Sequence, residues 1–229
     1  GRPGPTGDFW QRNGAPLTEE GTHTTDLLTR QSVTWIEEQA GSAKPWFLYL
    51  AHFAPHTPLD PPREWLEKFR EVRFDADDAE DDRARRFAAT VAHLDDAIGR
   101  VIAALAATGQ DRKTIVVFTS DNGPQIVPGK PASNGGTTGG LRGSKATTYE
   151  GGIRVPAFAW WPGRLAPRKL TSPVAVVDWL PTFASLAGID LPVSQKLDGQ
   201  NILPLLTGSV VAPDDRLLYL KYIGGISAL

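Results

Sequence analysis

Two oxygen-bearing side chains stand side by side directly after an apolar run that predicts a buried β-strand. Asp121 and Asn122 follow residues 114–119, whose β-branched sequence is TIVVFT. Ligands of α/β sheets gather beyond the carboxyl ends of strands, and a carboxylate beside an amide oxygen suits Ca²⁺ or Mg²⁺. Gly123 lets the backbone turn so that both side chains can face one point. Because Asp-Asn-Gly also forms simple turns, the pattern alone leaves a cation site and a turn open.

A lysine follows a glycine-rich segment further along the chain. Residues 134–143 contain five glycines, and the order after them is Gly143-Ser144-Lys145-Ala146. A nucleotide phosphate loop requires Gly-Lys-Ser/Thr at this point, so the segment excludes that motif. A lysine on a constrained loop can still pair with the oxygens of an anion as a point charge. The alternative is an ordinary exposed loop lysine.

A histidine flanked by prolines follows another apolar run. His56 lies in the sequence APHTP, and the prolines restrict the backbone on both sides of it. A histidine held in this way can bind an anion or pass a proton to a leaving group, although it can also simply cap a loop. The other three histidines have weaker cases, and His93 is interpreted as a packing residue on a helix.

These three features describe one kind of pocket when they are taken together. A divalent cation, a lysine and a histidine are the groups that stabilise a tetrahedral oxyanion such as sulfate or phosphate. The sequence therefore predicts a pocket for such an anion. Four tryptophans are assigned to packing of the core or its rim rather than to stacking on a ligand: Trp10, Trp65, Trp160 and Trp161.

The elements that must position these residues alternate between helix and strand. Hydrophobic spacing predicts helices over residues 25–39, 83–107 and 178–187, the last with Asp178 as N-cap and Gly188 as the residue that ends it. Apolar runs predict strands over 46–51, 114–119, 155–161, 173–177 and 217–222, of which the first two should be buried. The acidic run 75–82 is expected to be a solvated loop. This order favours an α/β sheet with helices on its faces.

Composition narrows the class of protein further. The chain has 229 residues, 41% of them hydrophobic, with 24 basic and 26 acidic residues and a net charge of −2. This balance argues against a nucleic-acid partner held by bulk charge, and no apolar run reaches the length of a membrane span. The absence of cysteine excludes disulfides, thiolate metal sites and a cysteine nucleophile from this sequence.

Several motifs resemble the type I sulfatase family of the alkaline phosphatase superfamily. The most specific are FTSDNGP at 118–124 and GLRGSKATTYEGGIRVP at 140–156. Others are WFLYLA at 46–51, APHTPL at 54–59, VAHLDDAIG at 91–99, DWLPT at 178–182 and LDG at 197–199. They follow the order of the family and extend over nearly the whole chain.

The resemblance implies a fold and a set of roles. The fold would be α/β: an alkaline-phosphatase-like mixed sheet flanked by helices, present in part, over residues 1–192, followed by the start of a small C-terminal α+β subdomain over 193–229. Asp121 and Asn122 resemble two Ca²⁺ ligands of the family, with Mg²⁺ the less favoured ion. Lys145 resembles the lysine that contacts the sulfate ester, and His56 resembles the histidine near the bridging oxygen. The implied substrate is a sulfated small molecule or sulfated carbohydrate.

One family motif has no counterpart in this sequence. Family members carry Cys/Ser-x-Pro-x-Arg, whose Cys or Ser matures to the formylglycine nucleophile, in their N-terminal half, and no serine here has that context. We therefore expect this chain to be the second half of a sulfatase domain that needs its N-terminal half and lacks turnover alone. The alternatives are a phosphodiesterase or phosphonate hydrolase of the same superfamily, or a non-catalytic remnant. The family implies a periplasmic, secreted or lysosomal location.

Overall fold

The computed structural model describes residues 10–17, 22–126, 136–192, 194, 196–210, 216–222 and 225–228. The chain forms two compact units. The first comprises Gly1–Asp111 with Asn122–Arg154, and the second comprises Arg112–Asp121 with Val155–Leu229. The division into 1–192 and 193–229 stays a prediction.

The first unit is mainly helical. Its helices are α1 (Thr24–Glu38), α2 (Arg63–Glu67), α3 (Asp78–Ala107) and the short α4 (Glu150–Ile153). Two short antiparallel strands, β1 (Trp10–Arg12) and β2 (Ala15–Leu17), form a hairpin. The helices predicted over 25–39 and 83–107 are confirmed within this unit.

Helices α1 and α3 pack along each other and bury the core of the first unit. The buried residues of α3 include three alanines, Ala89, Ala97 and Ala104, whose spacing of eight and seven places them on one face. On α1, Leu27 and Ile36 are buried. Leu105 of α3 is buried as well, whereas the other bulky apolar side chains of α3 are half-buried or exposed.

The acidic run 75–82 is not a loop throughout, as was predicted, because α3 already begins at Asp78. Asp77 caps this helix, since its side chain accepts hydrogen bonds from the backbone N–H groups of Ala79 and Glu80. Carboxylates are favourable in a first helical turn, where backbone N–H groups lack partners. Asp81 is buried and pairs with Arg85, so part of the run is structural rather than solvated.

The buried strand predicted over residues 46–51 is wrong. No strand is assigned there, and Phe47 and Tyr49 are 66% and 81% exposed. A strand needs a neighbouring strand for its backbone groups, and none of the strands among the described residues pairs with residues 46–51. This segment is held instead by Trp46, whose Nε1 donates to Gln110 Oε1 at 3.0 Å.

The second unit contains the strand that leads to Asp121. Strands β3 (Val116–Thr119) and β4 (Ala157–Trp160) pair antiparallel, with Val116 opposite Trp160. Strand β3 is shorter than predicted and is half-buried rather than fully buried. The remaining elements are α5 (Trp179–Ala187), α6 (Leu203–Thr207), β5 (Tyr219–Tyr222) and β6 (Gly225–Ala228).

The other predictions for the second unit have mixed outcomes. The strands predicted over 155–161 and 217–222 are confirmed as β4 and β5, and the helix predicted over 178–187 is confirmed as α5. Gly188 ends α5 with a φ of 65°, a left-handed conformation that costs glycine little. The strand predicted over 173–177 is wrong, because Val176–Asp178 form a turn of 3₁₀ helix there.

Helix and strand together make this an α/β protein. None of the helices in the described part of the chain combines the length and the apolar composition that crossing a bilayer requires.

Candidate active site

The turn after Asn122 and the loop that carries Lys145 are joined by backbone hydrogen bonds in the first unit. Gly123 N–H donates to the carbonyl of Gly152 at 2.9 Å, and Lys145 N–H donates to the carbonyl of Pro124, also at 2.9 Å. Two segments that lie about twenty residues apart in sequence therefore form one rigid connection. These bonds keep the backbone of the half-buried Lys145 close in space to the turn that carries Asn122.

Glycines make this connection close-packed rather than flexible. A Cβ on Gly123 would overlap the carbonyl of Gly151, so no larger residue fits there without moving the backbone. Gly143 has a φ of +82°, and a Cβ on it would lie only 2.6 Å from the Cβ of Tyr149. Gly123 and Gly143 therefore allow close backbone approach around Lys145.

The two predicted calcium ligands offer part of a coordination shell. Asp121 is exposed and lies two residues after the end of β3, in the second unit. Asn122 is half-buried and belongs to the first unit. The Asn122 Nδ2 group donates to the carbonyl of Gly123 at 3.1 Å, which fixes the plane of the amide. Carboxylate and amide oxygens suit Ca²⁺, which takes six to eight oxygens. The donor chemistry fits this ion, but these two residues supply only a part of its shell.

The ring of His56 is oriented by its own loop. His56 is exposed, and its Nδ1 lies 2.7 Å from the carbonyl oxygen of Thr57. Because a carbonyl can only accept, Nδ1 carries the proton and Nε2 is the nitrogen that can take up or release one. The His56 backbone N–H also donates to the carbonyl of Phe53 at 2.8 Å. This arrangement leaves Nε2 for proton transfer or for an anion.

The predicted site residues are only partly brought together. Asn122 and Lys145 share the hydrogen-bonded connection just described. His56 lies in the same unit, but within the described ranges no hydrogen bond or ion pair joins it to Lys145. The roles of these residues stay predictions.

A second cluster in the first unit was not singled out as a site by the sequence. His23, Asp26 and His93 carry ligand atoms that all lie within 4.8 Å of one another, close enough to share one metal ion. These atoms already have hydrogen-bond partners. His93 Nε2 lies 3.1 Å from Asp26 Oδ2, and Arg100 Nη2 donates to Asp26 Oδ1 at 2.6 Å. The neighbouring guanidinium opposes a cation, so the cluster is a hydrogen-bond network first.

His23 forms the N-cap of α1. Its Nδ1 accepts the backbone N–H of Thr25 at 3.2 Å, and its Nε2 lies 3.2 Å from the carbonyl oxygen of Asp60. The cap therefore requires the neutral ring, with the proton on Nε2. Burial lowers the pKa of His23, and the nearby His93 on α3 lowers it further, whereas Asp26 on α1 and Asp60 in the loop act in the opposite direction. A histidine immediately before the Thr-Thr-Asp start of a helix was the sequence signal for this cap.

His52 lies near the same network. Both of its ring nitrogens are buried and have no hydrogen-bond partner among the described residues. Burial lowers the pKa of His52, with smaller contributions in the same direction from His93 and Arg100. The folded chain therefore holds two histidines that favour the neutral form.

Acidification should destabilise the chain through these histidines. When the folded pKa lies below the unfolded value of about 6.5, the unfolded state binds protons first as the pH falls, so the free energy of unfolding decreases below that pH. Above it, both states are neutral and this contribution is constant. We expect His23→Asn, which keeps a capping oxygen, to reduce the slope between about pH 6.5 and 5. Part of the slope should remain because of His52.

Urea unfolding monitored by circular dichroism between pH 5 and 8 measures this effect. His23→Ala is the matched control, because it removes the titrating ring and the cap together. Relative to His23→Asn, it should lower the free energy of unfolding by about 1 kcal/mol throughout that range. An unchanged pH slope in His23→Asn would contradict the role of the ring.

Comparison with known proteins places this α/β chain in a class of hydrolases. A family model described as Sulfatase matches residues 2–189. The chain therefore belongs to the sulfatase family, within the alkaline phosphatase superfamily.

Individual relatives agree with the family match. Human arylsulfatase A is 38% identical over 176 residues, which cover 77% of this chain and 31% of the relative. Mouse N-acetylgalactosamine-6-sulfatase is 33% identical over 183 residues, covering 80% and 32% of the two chains. The chain thus spans about a third of the length of these curated relatives.

A solved structure confirms the fold. The crystal structure of Ps i-CgsB in complex with k-i-k-neocarrahexaose superimposes with a TM-score of 0.81 and 32% identity, covering 94% of this chain and 46% of that one. The fold predicted from the motifs, an alkaline-phosphatase-like α/β domain present in part, is confirmed.

Proposed function

We propose that this chain is the anion-binding part of a sulfatase that hydrolyses a sulfate ester to an alcohol and sulfate. The observation that carries the proposal is the backbone connection between the Asn122 turn and the Lys145 loop. It joins the two motifs most specific to the family at a distance fixed by hydrogen bonds. Family membership supports the reaction class, and the connection supports Lys145 as the residue that meets the sulfate group.

Each residue has a separate task in this proposal. The Lys145 ammonium pairs with sulfate oxygens and balances their charge as the bond to the bridging oxygen breaks. His56 gives a proton to the leaving alcohol oxygen from Nε2 when both of its ring nitrogens are protonated, while Nδ1 keeps its contact with the Thr57 carbonyl. Asp121 and Asn122 supply two oxygen ligands for Ca²⁺, which would polarise the sulfate group when bound. The formylglycine nucleophile is expected outside this sequence, so the isolated chain should lack turnover.

A sulfated carbohydrate is the substrate class that we favour over other sulfated small molecules. The solved structure of Ps i-CgsB, which is 32% identical to this chain, contains a neocarrahexaose. This similarity supports a sugar substrate for the present chain as well. A periplasmic, secreted or lysosomal location is part of the same proposal.

Hydrolysis assays on an active sulfatase that contains this segment test the function. We expect sulfate esters to be cleaved with a higher kcat/KM than phosphate diesters or phosphonate monoesters. A chelator should abolish this activity, and Ca²⁺ should restore it better than Mg²⁺. A preference for phosphonate would instead favour the alternative within the superfamily, and activity that survives chelation would remove the calcium assignment.

A further inference from the structure

We propose that the pocket beside His56 binds the sugar ring of a sulfated saccharide and that Trp10 and Phe53 set the preference for it. This inference rests on the proposed function, because it takes His56 as one of the residues near the sulfate ester. The pocket lies wholly in the first unit, and His56 forms part of its wall. A ring in the pocket would therefore have its sulfate at the His56 edge.

Two aromatic side chains form the apolar wall of this pocket. The rings of Trp10 and Phe53 meet edge to face, with centroids 5.8 Å apart and planes at 74°. Phe53 is 56% exposed. It lies three residues before His56 in the same loop. The exposed ring of Phe53 and the half-buried ring of Trp10 offer apolar ring area for the C–H face of a pyranose at little cost in side-chain entropy.

The lining of the pocket also includes the polar residues Thr57 and Asp60. The carbonyl oxygen of Asp60 is already engaged by His23, and we assign the Asp60 carboxylate as the acceptor for a hydroxyl group of the ligand. A carboxylate accepts hydrogen bonds from hydroxyl groups but repels a sulfate. The charge therefore selects the uncharged, hydroxyl-bearing part of the substrate for the pocket and leaves the sulfate outside it.

An apolar wall combined with a hydroxyl acceptor also distinguishes substrate classes. Pockets of this kind use apolar area for affinity and a few placed polar groups for orientation. An aryl sulfate could use the aromatic wall but has no hydroxyl for Asp60. A sulfated sugar can use both, so the pocket should favour it.

Calorimetric titration of a sulfatase that contains this segment, with its nucleophile replaced so that the probes are not hydrolysed, tests the inference. The probes are inorganic sulfate, 4-nitrophenyl sulfate, and the 6-sulfates of glucosamine and galactose together with galactose 4-sulfate. We expect at least one sulfated sugar to bind about tenfold or more tightly than inorganic sulfate. Trp10→Leu and Phe53→Leu should each remove most of this gain while leaving sulfate affinity unchanged. Asp60→Asn should weaken the sulfated sugar but not 4-nitrophenyl sulfate.

A matched control and an NMR signal separate the outcomes. Phe47→Leu changes an exposed aromatic side chain outside the pocket and should change no affinity. In the wild type, the sulfated sugar should shift the Trp10 indole N–H resonance, which is assigned by its loss in Trp10→Leu.

Two different failures are distinguishable. If inorganic sulfate binds and no sulfated sugar binds more tightly, the pocket inference is overturned and the proposed function survives. If neither sulfate nor any sulfated probe binds, the proposed function fails, and the inference fails with it. Equal losses in Phe47→Leu and Phe53→Leu would also overturn the role of the pocket wall.

Discussion

Replacing Lys145 with alanine is expected to lower kcat/KM for sulfate esters by about 10²–10³-fold in an active sulfatase that contains this segment. The ammonium group is the cation that we place against the sulfate oxygens, and the charge on those oxygens must be balanced as the ester bond breaks. Its loop is fixed by the bond from Lys145 N–H to the Pro124 carbonyl. That bond uses the backbone and survives the substitution, so the loss should report the side chain alone.

Two further variants sharpen this result. Lys44→Ala removes an exposed lysine of the same unit and should leave kcat/KM within experimental error. Lys145→Arg keeps the charge but changes a compact point charge into a planar group, so it should recover only part of the activity. Steady-state rates on an aryl sulfate provide the measurement. Wild-type kinetics in Lys145→Ala would remove this residue from the proposed site.

The sequence indicated which residues are candidates for the site, but it did not indicate the backbone hydrogen bonds that hold them. Lys145 and Asn122 could be singled out because their motifs are local. The hydrogen bonds that join their segments, to Gly152 and Pro124, are made between backbone groups, and such bonds leave no periodic pattern of side chains. Clustered glycines were the available signal, since close backbone approach excludes a Cβ.

Burial was the property that local patterns predicted least well. The run 46–51 is apolar and aromatic, yet Tyr49 is among the most exposed large side chains of the described residues. Apolar residues indicate what a segment can bury, whereas actual burial depends on a neighbouring element. The long helix α3 shows the same limit: its period was predicted, but its buried apolar residues are alanines such as Ala97 together with Leu105, and the other bulky residues are not buried.

The pocket beside His56 could not be predicted, because it combines distant parts of the sequence. Trp10 comes from the β1–β2 hairpin, and Phe53 and Asp60 come from the loop that follows residues 46–51. Trp10 was assigned to packing from its type alone. Only the folded arrangement shows that its ring meets Phe53 at a pocket wall.

Replacing Asp178 with alanine should lower the free energy of unfolding of the second unit by about 3–5 kcal/mol. Asp178 is fully buried and pairs with Arg216, whose Nη1 donates to Asp178 Oδ2 at 2.9 Å. The same carboxylate accepts the backbone N–H groups of Ala175 at 2.7 Å and Gln200 at 3.0 Å. Its removal leaves a nearly buried guanidinium and two N–H groups without their acceptor.

Urea unfolding of four variants measures the energy of this ion pair. Asp190→Ala removes an exposed carboxylate in the same unit and should change the free energy of unfolding by less than about 0.5 kcal/mol. Arg216→Met and its combination with Asp178→Ala complete a double-mutant cycle, in which the double variant should cost less than the sum of the single ones. A loss of less than about 1 kcal/mol in the free energy of unfolding of Asp178→Ala, or simple additivity in the cycle, would contradict the stabilising role of the Asp178–Arg216 ion pair. The helix and its cap position were predictable from DWLPT, but the partner was not, because Arg216 lies 38 residues further along the chain.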